Sequence, residues 1–188
     1  DLTRCYPLED VGPLSGLTSL RVLRLDFTRV ANVDGLSVLT NLVVLDLSST
    51  QVTSIAALSS LTKLEWLALR FTQVQIIAPL HGLTDLKVLR LSSTSVETVD
   101  DLSSLTKLQE LYLALTPVAN IDSLSSLTSL RALDLNLTSV ANIDSLSRLT
   151  DLERLYLTST HVASVDALAS LTNLQELSLY RTGVASVS

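Results

Sequence analysis

The chain has 188 residues, 47% of them hydrophobic, and a formal net charge of −6. This length and apolar content suffice for one folded domain with a substantial core, so a disordered chain is a poor interpretation. The acidic balance gives no electrostatic reason to bind nucleic acid, and no apolar run is long enough for membrane insertion, so we expect neither.

The N-terminal stretch "DLTRCYPLED" has no basic region followed by an apolar run, so no signal peptide is visible. The chain contains no methionine and opens in the middle of a pattern, so we expect it to be a segment of a longer protein. The single cysteine, Cys5, excludes an internal disulfide framework and slightly favours a reducing compartment. Localisation therefore stays undetermined, with a small preference for the cytoplasm.

The dominant feature of the sequence is an internal repeat. The dipeptide Leu-Thr recurs at a constant spacing of 22 residues. It begins at Leu17, Leu39, Leu61, Leu83, Leu105, Leu127, Leu149 and Leu171. This spacing predicts one repeat array over 1–188, with a partial first unit (1–16), seven full units (17–170) and a partial last unit (171–188).

Each unit carries two apolar spacings. The spacing of Leu64, Leu67 and Leu69 narrows to two residues, which predicts a short strand with alternate side chains turned inward. The return part, represented by Val74 and Ile77, has a spacing of three, which is tighter than an α-helix and suits 3₁₀ turns. One unit cannot bury its own leucines, so the units must stack and their strands must form one parallel sheet.

The pattern LxxLxL, followed by threonine and apolar residues at period three, covers essentially the whole chain. It resembles the leucine-rich-repeat proteins, and the 22-residue period is similar to that of the internalin-like and SDS22-like classes. The resemblance implies an α/β right-handed solenoid with a curved parallel sheet on the concave side and short 3₁₀ or helical turns on the convex side. It also implies binding of other proteins, through the concave face, rather than one particular activity.

Threonine stands at the ladder position, where that family usually has asparagine. The ladder threonines are Thr28, Thr50, Thr72, Thr94, Thr116, Thr138, Thr160 and Thr182. A buried hydroxyl can still satisfy backbone groups at the turn after the strand, although it forms fewer bonds than an amide. Cys5 occupies the same place after Leu2, and we interpret it as a buried structural thiol rather than a catalytic one.

Five aspartates precede the return-side leucine by two residues, where a carboxylate can cap the next helical turn. They are Asp34, Asp100, Asp122, Asp144 and Asp166. We interpret them as caps and not as metal ligands.

The outward strand positions and the residue after each strand are free of the leucine pattern. Six of the seven aromatic residues fall there, accompanied by arginines, and these are the residue types enriched at binding hot spots. Aromatic stacking between neighbouring strands without any ligand is the alternative explanation. We predict a partner-binding surface formed by Val44, Trp66, Arg70, Phe71, Val88, Arg90, Tyr112, Leu115, Arg154, Tyr156 and Tyr180.

The sequence offers no catalytic or metal site and no cofactor motif. Asp46 and Asp134 lie four units apart, about 19 Å at strand spacing, which is too far for paired carboxylates. Glu110 and Asp134 are diagonal neighbours, but Arg90 and Arg154 adjoin them, which favours a chain of exposed ion pairs. Asn136 fits the N-glycosylation pattern "NLT", but a glycan there would cover half of the sheet, so we do not expect one.

These observations favour a non-catalytic scaffold that binds a protein or peptide on the concave sheet. One alternative is the substrate-recognition arm of a larger enzyme, such as a ubiquitin ligase. Another is a structural array that self-associates end to end through its open strands.

Overall fold

The computed structural model describes residues 1–185, and within them it confirms the repeated strands and turns. The eight strands are β1 (Val22–Arg24), β2 (Val44–Asp46), β3 (Trp66–Ala68), β4 (Val88–Arg90), β5 (Glu110–Tyr112), β6 (Ala132–Asp134), β7 (Arg154–Tyr156) and β8 (Glu176–Ser178). The 3₁₀ turns are Gly12–Gly16, Asp34–Leu36, Ala56–Ser60, Ala78–Leu80, Asp100–Leu102, Asp122–Ser126, Asp144–Arg148 and Asp166–Ser170. No α-helix occurs in residues 1–185, so every return is a tight turn, as the period of three predicts.

The strands form one parallel sheet in chain order, from β1 to β8. Each strand pairs with the next in the same register, so that Trp66 lies opposite Val88 and Leu67 opposite Leu89. The hydrogen bonds continue beyond the three-residue strands. For example, the N–H of Phe71 donates to the carbonyl of Ser92 at 3.1 Å. Neighbouring units are therefore joined from the residue before each strand to the turn after it.

The core is a single stack of leucine, isoleucine and valine between the sheet and the 3₁₀ turns. The middle residue of β2 to β7 is always a leucine, and all six are fully buried, as Leu67 and Leu111 illustrate. The return-side residues Val74 and Leu80 complete the same layer. Burial of this kind stabilises by about 1.5–3 kcal/mol for each large side chain, which is the main energy term of the array.

Each strand ends in a turn that has a left-handed backbone. The residue before Cys5 and before every ladder threonine has φ between 54° and 61°, and none of these residues is glycine. A left-handed conformation costs roughly 1–2 kcal/mol for an L-residue. Because all units share it, we attribute it to the architecture rather than to a local functional strain.

The ladder threonines close this turn. The hydroxyl of Thr94 donates to the carbonyl of Leu91 at 2.7 Å, and the other seven make the equivalent bond three residues back. The hydroxyl bonds within its own unit, so the threonines fasten the turns but do not link one unit to the next. This agrees with the expected role of a buried hydroxyl with fewer bonds than an amide.

The predicted aspartate caps are wrong. Asp34 is the first residue of its turn, and its side chain makes no capping bond. Instead, its backbone N–H donates to Asn32 Oδ1 at 2.7 Å, and Asn142 caps the turn at Asp144 in the same way. The amide two residues earlier reaches the free N–H, whereas the aspartate side chain has already entered the turn.

Cys5 also differs from the sequence interpretation. It follows Leu2 with the expected turn, because its N–H donates to the carbonyl of Leu2 at 3.0 Å. Its thiol is nevertheless exposed rather than buried. The ladder position is buried only where flanking units cover it, and within the described residues no unit precedes Cys5.

Replacing a ladder threonine should reveal what the hydroxyl contributes. We expect Thr94→Val to lower the free energy of unfolding by about 1 kcal/mol, because the carbonyl of Leu91 loses its donor while the side-chain shape is kept. Denaturant titration followed by circular dichroism measures this change. The matched control Thr128→Val alters an exposed threonine and should change stability by less than about 0.5 kcal/mol. Equal effects of the two substitutions would contradict the role of the hydroxyl.

Candidate partner-binding surface

The outward side of the sheet, which we call the sheet face, is formed by the first and third residues of each strand and by the second and third residues after it. The leucine between them points into the core, so the alternation of a strand turns its neighbours outward. The sequence predicts this side to be concave. The eleven predicted binding residues all occupy such positions.

An apolar row crosses the sheet face at the start of three strands. Val44, Trp66 and Val88 are register partners on β2, β3 and β4, and each is half-buried. Trp66 therefore rests on the flanking valines while part of the indole remains open to solvent. The pairing of the members of this row follows from the constant register.

Arg90 is held between two aromatic rings. Its guanidinium carbon lies 5.4 Å from the centre of the Trp66 ring and 5.3 Å from the centre of the Tyr112 ring. These distances are within the range of cation–π attraction. The stack links β3, β4 and β5 and fixes the position of the guanidinium on the sheet face.

A shallow open depression of about 400 Å³ lies beside this stack. Its lining includes five of the predicted residues, namely Arg70, Phe71, Arg90, Tyr112 and Leu115. It also includes four that the prediction omitted, namely Ser92, Ser93, Ala114 and Asp134. The signal for the omitted residues was present, because they occupy the same outward columns, but small and acidic residues are not enriched at hot spots.

Two large apolar side chains project at the rim of the depression. Phe71 is 61% exposed and Leu115 is 54% exposed, and both have the left-handed backbone of the turn after the strand. Leu137, which is 51% exposed, continues the row beyond Leu115. The turn directs this position away from the core, so apolar residues there gain nothing from core packing.

The charge pairing on the sheet face differs from the predicted chain. Arg154 reaches across β6 to Glu110, with Nη2 3.6 Å from Oε1, and does not pair with Asp134. Glu110 also accepts a hydrogen bond from the hydroxyl of Tyr112 at 2.8 Å. Arg90 faces the rings and forms no ion pair with any of the described residues. The register alone could not predict this, because an arginine side chain spans more than one strand.

Burial changes the protonation of two groups at the depression. The pKa of Asp134 is raised by burial, and the N–H of Asn136, which donates to its Oδ1 at 3.0 Å, offsets part of that effect. The pKa of Tyr112 is raised by burial and by its hydrogen bond to Glu110. Tyr112 therefore remains a hydrogen-bond donor at neutral pH.

The remaining predicted residues lie outside the depression. Tyr156 donates from its hydroxyl to Glu176, and this bond, more than burial, raises the pKa of Tyr156. Tyr180 follows β8, and Arg181 stacks 5.3 Å from the centre of its ring. The structure thus brings five of the eleven residues into one depression and leaves Arg154, Tyr156 and Tyr180 nearer the C-terminal end of the sheet.

Some positions that the pattern turns outward are buried. Asp46 is only 9% exposed and Ser48 only 3%, and Oδ1 of Asp46 accepts the N–H of Ser48 at 2.9 Å. Ala68 is fully buried as well. Alternation within one strand predicts the direction of these side chains but not how far their surroundings cover them.

The side chain of Asn136 already accepts a hydrogen bond within the array. Its Oδ1 accepts the backbone N–H of Thr158 at 2.7 Å, and the side chain is half-buried. A glycan on its amide nitrogen would have to share this restricted position, so the structure adds a local reason to the expectation that the site is not used.

Two other kinds of site are absent from residues 1–185. No group of three or more His, Cys, Asp and Glu side chains there is placed to hold a metal ion. Among the same residues, no helix has the length and hydropathy needed to cross a bilayer.

Comparisons with solved structures place the fold in a known class. An internalin, inlF, of Listeria monocytogenes superimposes with a TM-score of 0.93 at 27% identity, covering 96% of this chain and 54% of that one. Internalin C2 of the same organism gives a TM-score of 0.90 at 31% identity, covering 93% of this chain and 77% of that one. The chain therefore belongs to the leucine-rich-repeat proteins. Within that class it is similar to internalins, and it spans about half the length of inlF.

The same solenoid occurs in a more distant receptor. The plant peptide hormone receptor RGFR1, solved in complex with RGF2, gives a TM-score of 0.82 at 20% identity, covering 94% of this chain and 31% of that one. At this identity the likeness concerns the fold alone. No protein-family model matches the sequence, and no curated protein does either.

Asp134 should make the stability of the fold depend on pH. Because its folded pKa lies above the ordinary value of 3.8, its stabilising contribution is fully present below pH 3.8 and is lost as the pH rises through the folded pKa. We expect Asp134→Asn, which keeps an acceptor for the N–H of Asn136, to be more stable than the wild type at neutral pH. The difference should shrink as the pH falls towards 3.8.

Free energies of unfolding from denaturant titrations between pH 3 and 8 test this expectation. A difference between Asp134→Asn and the wild type that stays constant over that range, or that grows on acidification, would contradict a raised pKa.

Proposed function

We propose that this chain is a non-catalytic interaction scaffold and that a protein or peptide binds on its sheet face. The observation that carries the proposal is the depression beside the Trp66–Arg90–Tyr112 stack, rimmed by the exposed side chains of Phe71 and Leu115. These groups contribute nothing to the leucine core. Aromatic and arginine side chains that are already ordered are typical anchors of protein interfaces.

The alternative is that the aromatic residues only stabilise the sheet by stacking between strands. That explanation accounts for Trp66 and Tyr112, which both contact Arg90. It does not account for Phe71 and Leu115, which are more than half exposed at the rim. Burying these two side chains against a partner would remove apolar surface from water that the folded chain alone leaves exposed.

The family supports the class of function. Leucine-rich-repeat proteins are mostly interaction proteins, and RGFR1 was solved with RGF2 bound. That complex shows that a solenoid of this kind can hold a peptide-sized partner. Which face this chain uses, and which partner it binds, belong to the proposal.

The proposal is tested by selecting binders from a random dodecapeptide library displayed on phage, using the full 188-residue chain as bait. We expect the Trp66→Ala/Tyr112→Ala variant to bind the selected peptides at least tenfold more weakly, because hot-spot truncations cost about 2 kcal/mol or more. Fluorescence anisotropy with synthetic peptides measures the affinities. Circular dichroism confirms that each variant is folded.

The control is Val38→Ser/Ile76→Ser, which removes two exposed apolar side chains from the return side. It should bind the peptides as the wild type does. Peptides that lose affinity for this control but not for the sheet-face variant would place binding on the return side and overturn the proposal.

A further inference from the structure

We propose that the depression contains a subsite for a carboxylate of the bound partner, formed by the guanidinium groups of Arg70 and Arg90. The partner segment would then be a peptide with an acidic side chain flanked by apolar ones. This inference rests on the proposed function, because it names the chemistry that the sheet face recognises.

The first observation is that both arginines lack an acidic partner. The described residues contain five ion pairs, and neither Arg70 nor Arg90 takes part in any of them. The two side chains are diagonal neighbours, since Arg90 pairs in register with Ala68, two residues before Arg70. Two positive charges thus share one depression in a chain whose net charge is −6.

The second observation is a cluster of polar atoms without partners. Nε of Arg70, Nε of Arg90 and Oγ of Ser93 are shielded from solvent and form no hydrogen bond. They make up three of the five such side-chain atoms found in the described residues, and all three residues line the depression. A buried polar group without a partner is unfavourable, so this concentration opposes folding stability. An anionic acceptor bound here would give the guanidinium groups the partner that the chain does not supply.

The third observation is that one of the two guanidinium groups is held in place. Arg90 lies between the rings of Trp66 and Tyr112, so little side-chain entropy remains to be lost on binding. A planar guanidinium donates two parallel hydrogen bonds to a carboxylate, which an ammonium group cannot do. The ordered fork therefore suits a flat, two-oxygen acceptor.

The surroundings restrict the ligand further. Phe71 and Leu115 on the rim require apolar groups beside the anionic one. Asp134 lines the same depression and would repel an anion that extended towards it. A singly charged carboxylate at the Arg70 and Arg90 end satisfies both conditions, whereas a doubly charged phosphate would be repelled more strongly by Asp134.

The experiment uses the library peptides selected above and compares each synthetic peptide with a form in which its carboxylates are replaced by amides. We expect Asp and Glu to be enriched among the binders and the amide form to bind at least about tenfold more weakly, because hydrogen bonds to charged groups are the stronger kind. In Arg70→Gln/Arg90→Gln the difference between acid and amide should fall to less than about twofold. The charge-matched control Arg21→Gln/Arg148→Gln should retain the wild-type ratio, which separates direct contact from long-range attraction.

A second measurement does not depend on the affinity of the variants. In ¹H–¹⁵N spectra of the wild-type chain, N-acetylglutamate N-methylamide should shift the guanidinium signals of Arg70 and Arg90, and its glutamine analogue should not. If inorganic phosphate shifts them more strongly than the blocked glutamate does, a phosphoryl group is the preferred ligand and the carboxylate proposal is overturned.

The failures of the two proposals differ in their outcome. If binding is lost in the sheet-face variant Trp66→Ala/Tyr112→Ala but acid and amide peptides bind equally, only the carboxylate subsite is wrong. If no selected peptide is sensitive to the sheet-face variant, the proposed function fails and the subsite fails with it.

Discussion

The whole array depends on one packing constraint: the leucines of a unit are buried only by the units on either side. Leu155 in the middle of β7 is fully buried, whereas Leu177, its equivalent on the outermost strand β8, is 44% exposed. Each layer therefore obtains its hydrophobic stabilisation from contact with the next, as in other repeat proteins. The constraint fixes the inward residues as leucine, valine or isoleucine and imposes nothing on the outward ones.

The turn after each strand determines which side chains are presented on the sheet face. The threonine hydroxyl returns to the carbonyl three residues earlier, and the residue before it adopts a left-handed backbone in every described unit. The hydrogen bonds between units, such as that from the N–H of Phe71 to the carbonyl of Ser92, offset the free-energy cost of that conformation. As a result the side chain at this position stands outward on a rigid base, whether it is a serine, a phenylalanine or a leucine.

The strands, the 3₁₀ turns and the outward columns could be predicted from the sequence, because the spacing of the leucines follows directly from which positions are buried. The sequence did not predict which of several partners a polar or charged side chain contacts. Asn32 rather than Asp34 caps its turn, since reach and not charge decides which group meets the free N–H. Arg154 passes over β6 to Glu110, because a long side chain is not confined to its register neighbours. The left-handed turn carried no signal, as no glycine marks it, and contact of the sheet face with a partner stays a prediction.

Electrostatic pairing elsewhere in the array shows why the depression is unusual. Along the edge where the chain enters the sheet, charges one unit apart are matched, with Lys87 on Glu65 at 2.8 Å and Arg131 on Glu153 at 3.4 Å. The register of the repeat thus places an acid beside a base at these two pairs of units. Arg70 and Arg90 are diagonal neighbours on the sheet face and take part in none of the ion pairs of the described residues, and their Nε atoms are shielded from solvent as well. Exposed pairs contribute only about 0–1 kcal/mol, so the missing acid is a small loss, but shielding an unpartnered guanidinium donor is a larger one. The proposed carboxylate of a bound partner would supply the acceptor that the described residues do not provide.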